Sequence, residues 1–211
     1  LIGANIDLVK EGLGSDKRIG SSFINPGAGY GGSCFPKDVK ALISKASNLG
    51  YRPKILKATD SVNNSQKLII FNKILKRFGP DLNGLKFALW GLSFKPQTDD
   101  VRESPSINVA RSLVKAGAKV LAFDPKAIEN FKKSVPKSLN IQYLNSKEAC
   151  LEGSDALLVM TEWNDFKIQD YSRVKSLLNR PIIFDARNFF NKEELTSFGF
   201  EYFGIGRKGD I

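Results

Sequence analysis

Histidine is missing from all 211 residues of the chain. That single absence removes cysteine–histidine pairs, Ser–His–Asp triads and histidine-bound metals as a basis for chemistry, and no metal site is expected. Cysteine is scarce. Cys34 and Cys150 lie far apart and do not read as a disulfide framework, which points to a reducing cytoplasm. No apolar run approaches the roughly 18 residues of a membrane span, and no signal-peptide pattern occurs, so a membrane partner is not expected. The Gly-x-Gly-x-x-Gly fingerprint of a dinucleotide site is lacking too. The chain opens on Leu1 without a methionine and reads as a fragment.

What is present is the composition of a globular protein, 42% hydrophobic and 26% charged, with length enough for one or two domains and a real core. The formal net charge of +10 implies an anionic partner. The lysines are spread over every expected helix and are not interleaved with aromatics. A phosphorylated small molecule therefore fits as well as nucleic acid, with much of the excess merely solvated, and no nucleic-acid partner is expected.

The rest of the chain is organised around GAGYGGSCFPKD, residues 27–38. Four glycines (Gly27, Gly29, Gly31, Gly32) lead to Cys34, and glycine lets a backbone approach a ligand without a Cβ in the way. Pro36 suits the first turn of a helix, and Val39, Leu42, Ile43 and Ala46 then follow at helical spacing. Cys34 is therefore expected at a helix N-terminus, where unpaired N–H groups and the dipole favour a thiolate, with Lys37 adding a cation one turn in. The plainer alternative is a tight connection beside a small buried cysteine. Ordering four glycines costs much entropy, which tilts the reading towards a ligand.

In chain order, a short helix is expected from Asn5 to Gly12 or Gly14, a second from Pro36 to about Leu49, and a third, about 25 residues long, from Pro53 to Phe78. Such a helix would span about 40 Å and could join domains or subunits. Gly79-Pro80-Asp81 and Asn83-Gly84 break the chain, giving a division into residues 1–80, a central helical part, and 81–211. Beyond the break the texture is α/β. Strands are expected at 86–92, 119–123, 155–160 and 181–185, and helices after Ser104-Pro105 and near 146–152, 171–178 and 192–198. This alternation predicts a parallel, doubly wound sheet with ligands at the strand C-termini. Lys95 and Arg102 follow the first strand and Arg187 follows a later one, so cations gather at one end of the sheet. Asp124 reads as the start of a turn before Pro125, and Cys150 as packing.

GAGYGGSCFPKDV, LSFKPQTDDVRESPS, FDPKA, TEWNDF and FDARN, in this order, resemble the UDP-glucose/GDP-mannose dehydrogenase family, with TEWNDF leaning to its UDP-glucose branch. The first of these is highly specific, and the match runs over essentially the whole chain. The resemblance implies oxidation of UDP-glucose to UDP-glucuronate by two NAD through a cysteine thioester. It also implies a homodimer built on the central helix, followed by a Rossmann-like UDP-binding domain. It covers only the central and C-terminal parts of such an enzyme. The NAD domain is not matched, so the chain alone is expected to be inactive.

Carried over position by position, the resemblance makes Cys34 the nucleophile and Asp38 a group that positions or activates water. Phe23, Asn25 and the loop through Gly27, Tyr30 and Gly31 would hold the sugar and pyrophosphate. Phe94 and Lys95 would meet the sugar, and Arg187 the nucleotide side, although Ala186 stands where the family more often has glycine. Lys37 and Arg102 fall on the NAD side, and Arg18 would reach into the partner subunit's site. Two alternatives stay open. One is a sister activity on GDP-mannose or a UDP-N-acetylhexosamine, the latter disfavoured by Ser33 where that group usually has histidine. The other is a nucleotide-sugar-binding, dimerising module without turnover.

Overall fold

The computed structural model describes residues 2–207. The end residues of the 1–80 and 81–211 division, Leu1 and 208–211, lie outside the described residues. Asn5 starts the first helix as expected: its side chain accepts a hydrogen bond from the Asp7 N–H (2.9 Å) and caps α1 (Ile6–Gly14). Helix α2 (Phe35–Asn48) begins with Cys34 at its N-cap and Pro36 in its first turn. It closes at Leu49, after which Gly50 takes a positive φ of 75°.

The single long helix expected over 53–78 is two helices. Helix α3 (Lys54–Gln66) stops, and α4 (Ile69–Phe78) restarts two residues later. At the joint the chain tightens, with the Leu68 N–H donating to the Ser65 carbonyl (3.1 Å) three residues back. The two halves have different environments, which explains the break. Ile70 and Ile74 of α4 are fully buried in the core of the sheet, whereas Ile55 and Val62 of α3 face outward. Between them Lys67 turns inward to pair with Glu103 (2.6 Å). A straight helix could not serve both surroundings.

The sheet follows. Strand β1 (Lys86–Trp90) alternates, sending Phe87 and Leu89 into one core layer, Ala88 and Trp90 into the other. It is joined by β2 (Lys119–Phe123), β3 (Ile141–Tyr143), β4 (Ala156–Val159), β5 (Ile182–Asp185) and β6 (Glu201–Phe203). The order is β3-β2-β1-β4-β5-β6 with every neighbouring pair parallel, a doubly wound sheet whose order reverses between β1 and β4. On one face lie α4, α5 (Pro105–Lys115) and α6 (Ile128–Ser134). On the other lie α7 (Lys147–Leu151), α8 (Tyr171–Leu177) and α9 (Lys192–Ser197). Trp90 pairs with Val159, so β1 and β4 end level and their loops leave the sheet side by side at the reversal point. That is where an α/β sheet of this kind holds ligands.

Candidate active site

The glycine loop lies over that end of the sheet because its backbone is tied there. The Ala28 N–H donates to the Ala186 carbonyl (3.1 Å) just past β5, and the Gly32 N–H donates to the Arg102 carbonyl (2.8 Å). From α3, Asn63 bonds both ways with the Tyr30 backbone, while the Gln66 amide donates to the Gly27 carbonyl (2.8 Å). The glycines answer to these close approaches. A Cβ on Gly31 would fall 2.5 Å from the Glu103 carbonyl oxygen, and one on Gly32 2.8 Å from the Phe94 ring. Gly29 adds a positive φ of 86°.

The loop delivers Cys34 to solvent at the start of α2. Its neighbours are polar. The Ser33 hydroxyl is 3.6 Å from the sulfur, and Lys37 pairs with Asp38 at 2.8 Å. Asp38 raises the Lys37 ammonium, and Asp100 raises the Arg102 guanidinium. In each case the hydrogen bond to the carboxylate is the largest cause. Cys34 is thus accessible at the mouth of a helix.

Below the loop are the strand-end residues. The Lys95 ammonium lies 5.3 Å from the centre of the Phe94 ring. Arg187 reaches across the reversal point: it donates to the Phe94 carbonyl (2.6 Å), pairs with Glu162 (2.9 Å) after β4, and lies where a Cβ on Gly27 would intrude. Asp124 forms the expected turn, its Oδ1 accepting from the Lys126 and Ala127 N–H groups (2.9 and 2.8 Å). It does more: Oδ2 accepts from the Leu92 and Ser93 N–H groups and from Trp163 Nε1 (2.7, 3.2 and 3.2 Å). The Thr161 hydroxyl closes the same gap by donating to the Ser93 carbonyl (2.6 Å). Behind Arg187, Asp185 is fully buried and burial pushes its carboxyl up, against hydrogen bonds from Phe190, Arg187 and Tyr202 that lower it.

Not every candidate is brought to this centre. Arg18 is spent on Asp16 (2.6 Å) with its side chain in solvent, Phe23 is 98% exposed, and Asn25 is exposed. Tyr30 faces Phe35 edge-on at 6.1 Å, and its buried hydroxyl finds no hydrogen-bond partner among the described residues. Sequence reasoning missed Asn63, Gln66, Lys67, Glu103 and Glu162. A signal existed for two of them, since Asn63 and Gln66 stand three apart and so share a face of α3. Among the described residues no group of three His, Cys, Asp or Glu side chains is placed to hold a metal, and no helix is long and apolar enough to cross a membrane.

A dinucleotide would not fit the sheet in the usual way. The N–H groups at the turn after β1, which would cradle a pyrophosphate, are already taken by Asp124. The described residues offer a dinucleotide two exposed cations beside Cys34, Lys37 and Arg102, and no cradle. Fold and site together define a doubly wound α/β domain that carries a cysteine-bearing helical element over the C-terminal ends of its strands.

Comparison with known proteins makes this specific. Residues 1–65 match the central domain of the UDP-glucose/GDP-mannose dehydrogenase family and residues 88–192 match its UDP binding domain. The chain belongs to the UDP-glucose/GDP-mannose dehydrogenase family. It is 42% identical over 210 residues to UDP-glucose 6-dehydrogenase YwqF of Bacillus subtilis, covering 100% of this chain and 47% of that one. A UDP-glucose 6-dehydrogenase of Pseudomonas aeruginosa is 42% identical over 210 residues, covering 98% and 46%. Among solved structures, a UDP-glucose dehydrogenase from Pyrobaculum islandicum superposes with a TM-score of 0.83 at 32% identity, over 98% of this chain and 44% of that one. The chain thus spans about half the length of the curated relatives it matches.

Proposed function

We propose that the full-length protein containing this chain oxidises UDP-glucose to UDP-glucuronate with two NAD, and that this chain supplies the nucleophile and the UDP-sugar site. The observation that supports it best is the placement of an exposed Cys34 by a tethered glycine loop above the C-terminal ends of β1, β4 and β5. The UDP half would lie at the reversal point between β1 and β4, with Arg187 and the glycine-loop backbone on its phosphates and Phe94 and Lys95 towards the sugar.

The chemistry needs little beyond this. Sγ of Cys34 would add to the C6 aldehyde of the half-oxidised sugar, forming a C–S bond while the carbonyl oxygen takes a proton to give a thiohemiacetal. When bound, NAD would accept hydride in each of the two oxidations, and Lys37 and Arg102 would meet its phosphates. Water then attacks the resulting thioester, the C–S bond breaks, and the thiolate returns. Asp38, one turn from Cys34, would orient that water, as the resemblance implies. The pyrophosphate cradle for NAD would come from residues beyond this chain. A homodimer through the helical part belongs to the same proposal, with Arg18 as the residue reaching across. The exposed Leu8, Leu42, Ile55 and Val62 of α1–α3 are the surface that supports it.

The test is NADH formed per UDP-glucose by the full-length protein, with GDP-mannose and UDP-N-acetylmannosamine in parallel. Two NADH per UDP-glucose, lost in Cys34→Ala while UDP-glucose still binds, is the expected result. Turnover of another sugar alone would reassign the substrate and keep the cysteine chemistry. Silence with all three would overturn the reading.

A further inference from the structure

Glu103 occupies an unusual position. It is not a glycine, yet its φ is 54°, in the left-handed region that costs most residues free energy. This conformation turns two successive carbonyls towards the glycine loop: that of Arg102 accepts the Gly32 N–H (2.8 Å), and that of Glu103 fills the space a Gly31 Cβ would need. The Glu103 carboxylate is meanwhile divided between two lysines. Oε1 accepts from Lys40 of α2 at 2.7 Å, and Oε2 from Lys67 at the α3–α4 joint at 2.6 Å. Lys67 is the buried member, its side chain 3% exposed. A buried ammonium is tolerated only with a partner. The Arg102-Glu103 turn therefore meets both sides of Cys34, the glycines before it through backbone carbonyls and the helix after it through the Glu103 carboxylate, and the same carboxylate ties them to the α3–α4 joint.

We infer that Lys67 is a positioning residue for Cys34: it acts through Glu103, holding the strained Arg102-Glu103 turn against Gly31 and Gly32 and so fixing the loop that delivers Cys34 to the start of α2. The catalytic arm of the test rests on the proposed function, but a thiol-reactivity arm does not.

In the full-length protein, Lys67→Met, Glu103→Gln and the double variant are compared with wild type, each shown to be folded by circular dichroism. Iodoacetamide labelling of Cys34 is followed as a function of pH, and kcat and KM are measured with UDP-glucose. Releasing the turn frees the loop that leads to Cys34, so labelling in each single variant departs from the wild-type rate across the pH range. We expect kcat to fall by about tenfold to hundredfold while KM moves far less, because orientation is lost and binding groups are retained. The double variant should be no worse than the singles, since both cut one connection. Folded variants with the wild-type labelling profile, or losses that add in the double variant, would overturn the inference. If Lys67→Met does not fold, Glu103→Gln alone decides by its profile. A wild-type protein that never oxidises UDP-glucose sinks the proposed function, and the labelling comparison still judges this one.

Discussion

The side-chain amide of Asn63 closes a two-way hydrogen-bonded ring with the backbone of Tyr30, accepting the Tyr30 N–H at 2.8 Å and donating to the Tyr30 carbonyl at 3.1 Å. A helix side chain thus does for the glycine loop what a neighbouring strand would do, pairing both backbone groups of one residue. Asn63→Ala leaves both groups without that partner in a half-buried place, at a cost of about 1–3 kcal/mol. The expected outcome is a lower urea midpoint and weaker UDP-glucose binding by calorimetry. Asn63→Asp should also fall short, because a carboxylate keeps the acceptor and loses the donor.

Gly31→Ala tests the closest approach in the loop. The added Cβ meets a backbone carbonyl oxygen at 2.5 Å and the Phe94 Cβ at 3.1 Å, and neither can swing away as a flexible side chain would. The loop must lift from the Arg102-Glu103 turn. UDP-glucose affinity should fall at least tenfold, about 1.4 kcal/mol, while the far-ultraviolet circular dichroism of the sheet stays as it was.

The two cysteines should be separable by reactivity. Burial pushes the Cys150 thiol up to about 12, so it carries essentially no thiolate near neutrality. Cys34 is exposed. A native protein treated with a thiol reagent at pH 7.5 to 8, values chosen to sit near the roughly 8.5 of a free thiol, should release one equivalent rapidly and the second only in denaturant. Two fast equivalents would contradict the packing of α7.

Glu103 predicts the acid limb of stability. Hydrogen bonds from Lys40, then Lys67, hold its carboxyl below the ordinary glutamate value of 4.5. A depressed acid stabilises fully above its unfolded value, and that stabilisation drains as pH falls below 4.5 through the folded value. The gap in urea midpoint between wild type and Glu103→Gln should therefore be wide at pH 6 and narrow towards about pH 3. Buried Asp185 titrates with the opposite sign, its carboxyl raised, but it is common to both proteins and cancels in the difference.

Much of this molecule was legible in the sequence, for reasons that can be named. Strands β1, β2, β4 and β5 are buried apolar runs bounded by turn residues, and Ser104-Pro105 and Asn5 are helix starts whose side chains cap as their chemistry predicts. Cys34 at the mouth of α2 followed from the glycines and Pro36. What escaped notice was either short or non-local. Strands β3 and β6 are three residues each and sit at the sheet's two edges, too brief for a period to show. Helix α6, seven residues long, gave no cap signal. The break at Lys67-Leu68 was hidden because apolar spacing continues through it. At that joint Lys67 pairs with Glu103, 36 residues away, and no local pattern carries that pairing. The same holds for Glu162 and Arg187, which meet only because β4 and β5 are neighbours.

The distribution of apolar side chains has a consequence for how the molecule opens. Among the described residues, all the exposed large hydrophobics but Phe198 lie between Ile2 and Val62, and α1 buries none of its residues, α2 only Pro36 and α3 only Asn63. These helices have no interior to melt. Their order is borrowed from polar tethers to a sheet whose central strands β1 and β4 are buried on both faces. In amide exchange α1–α3 should open as a low-energy unit long before β1 and β4 do. Cys34 thus stands on the portion that yields first, and Lys95 and Arg187 on the portion that yields last. A ligand bridging the two would slow exchange in the helices and leave the sheet's untouched, so that binding and the ordering of Cys34 become one event.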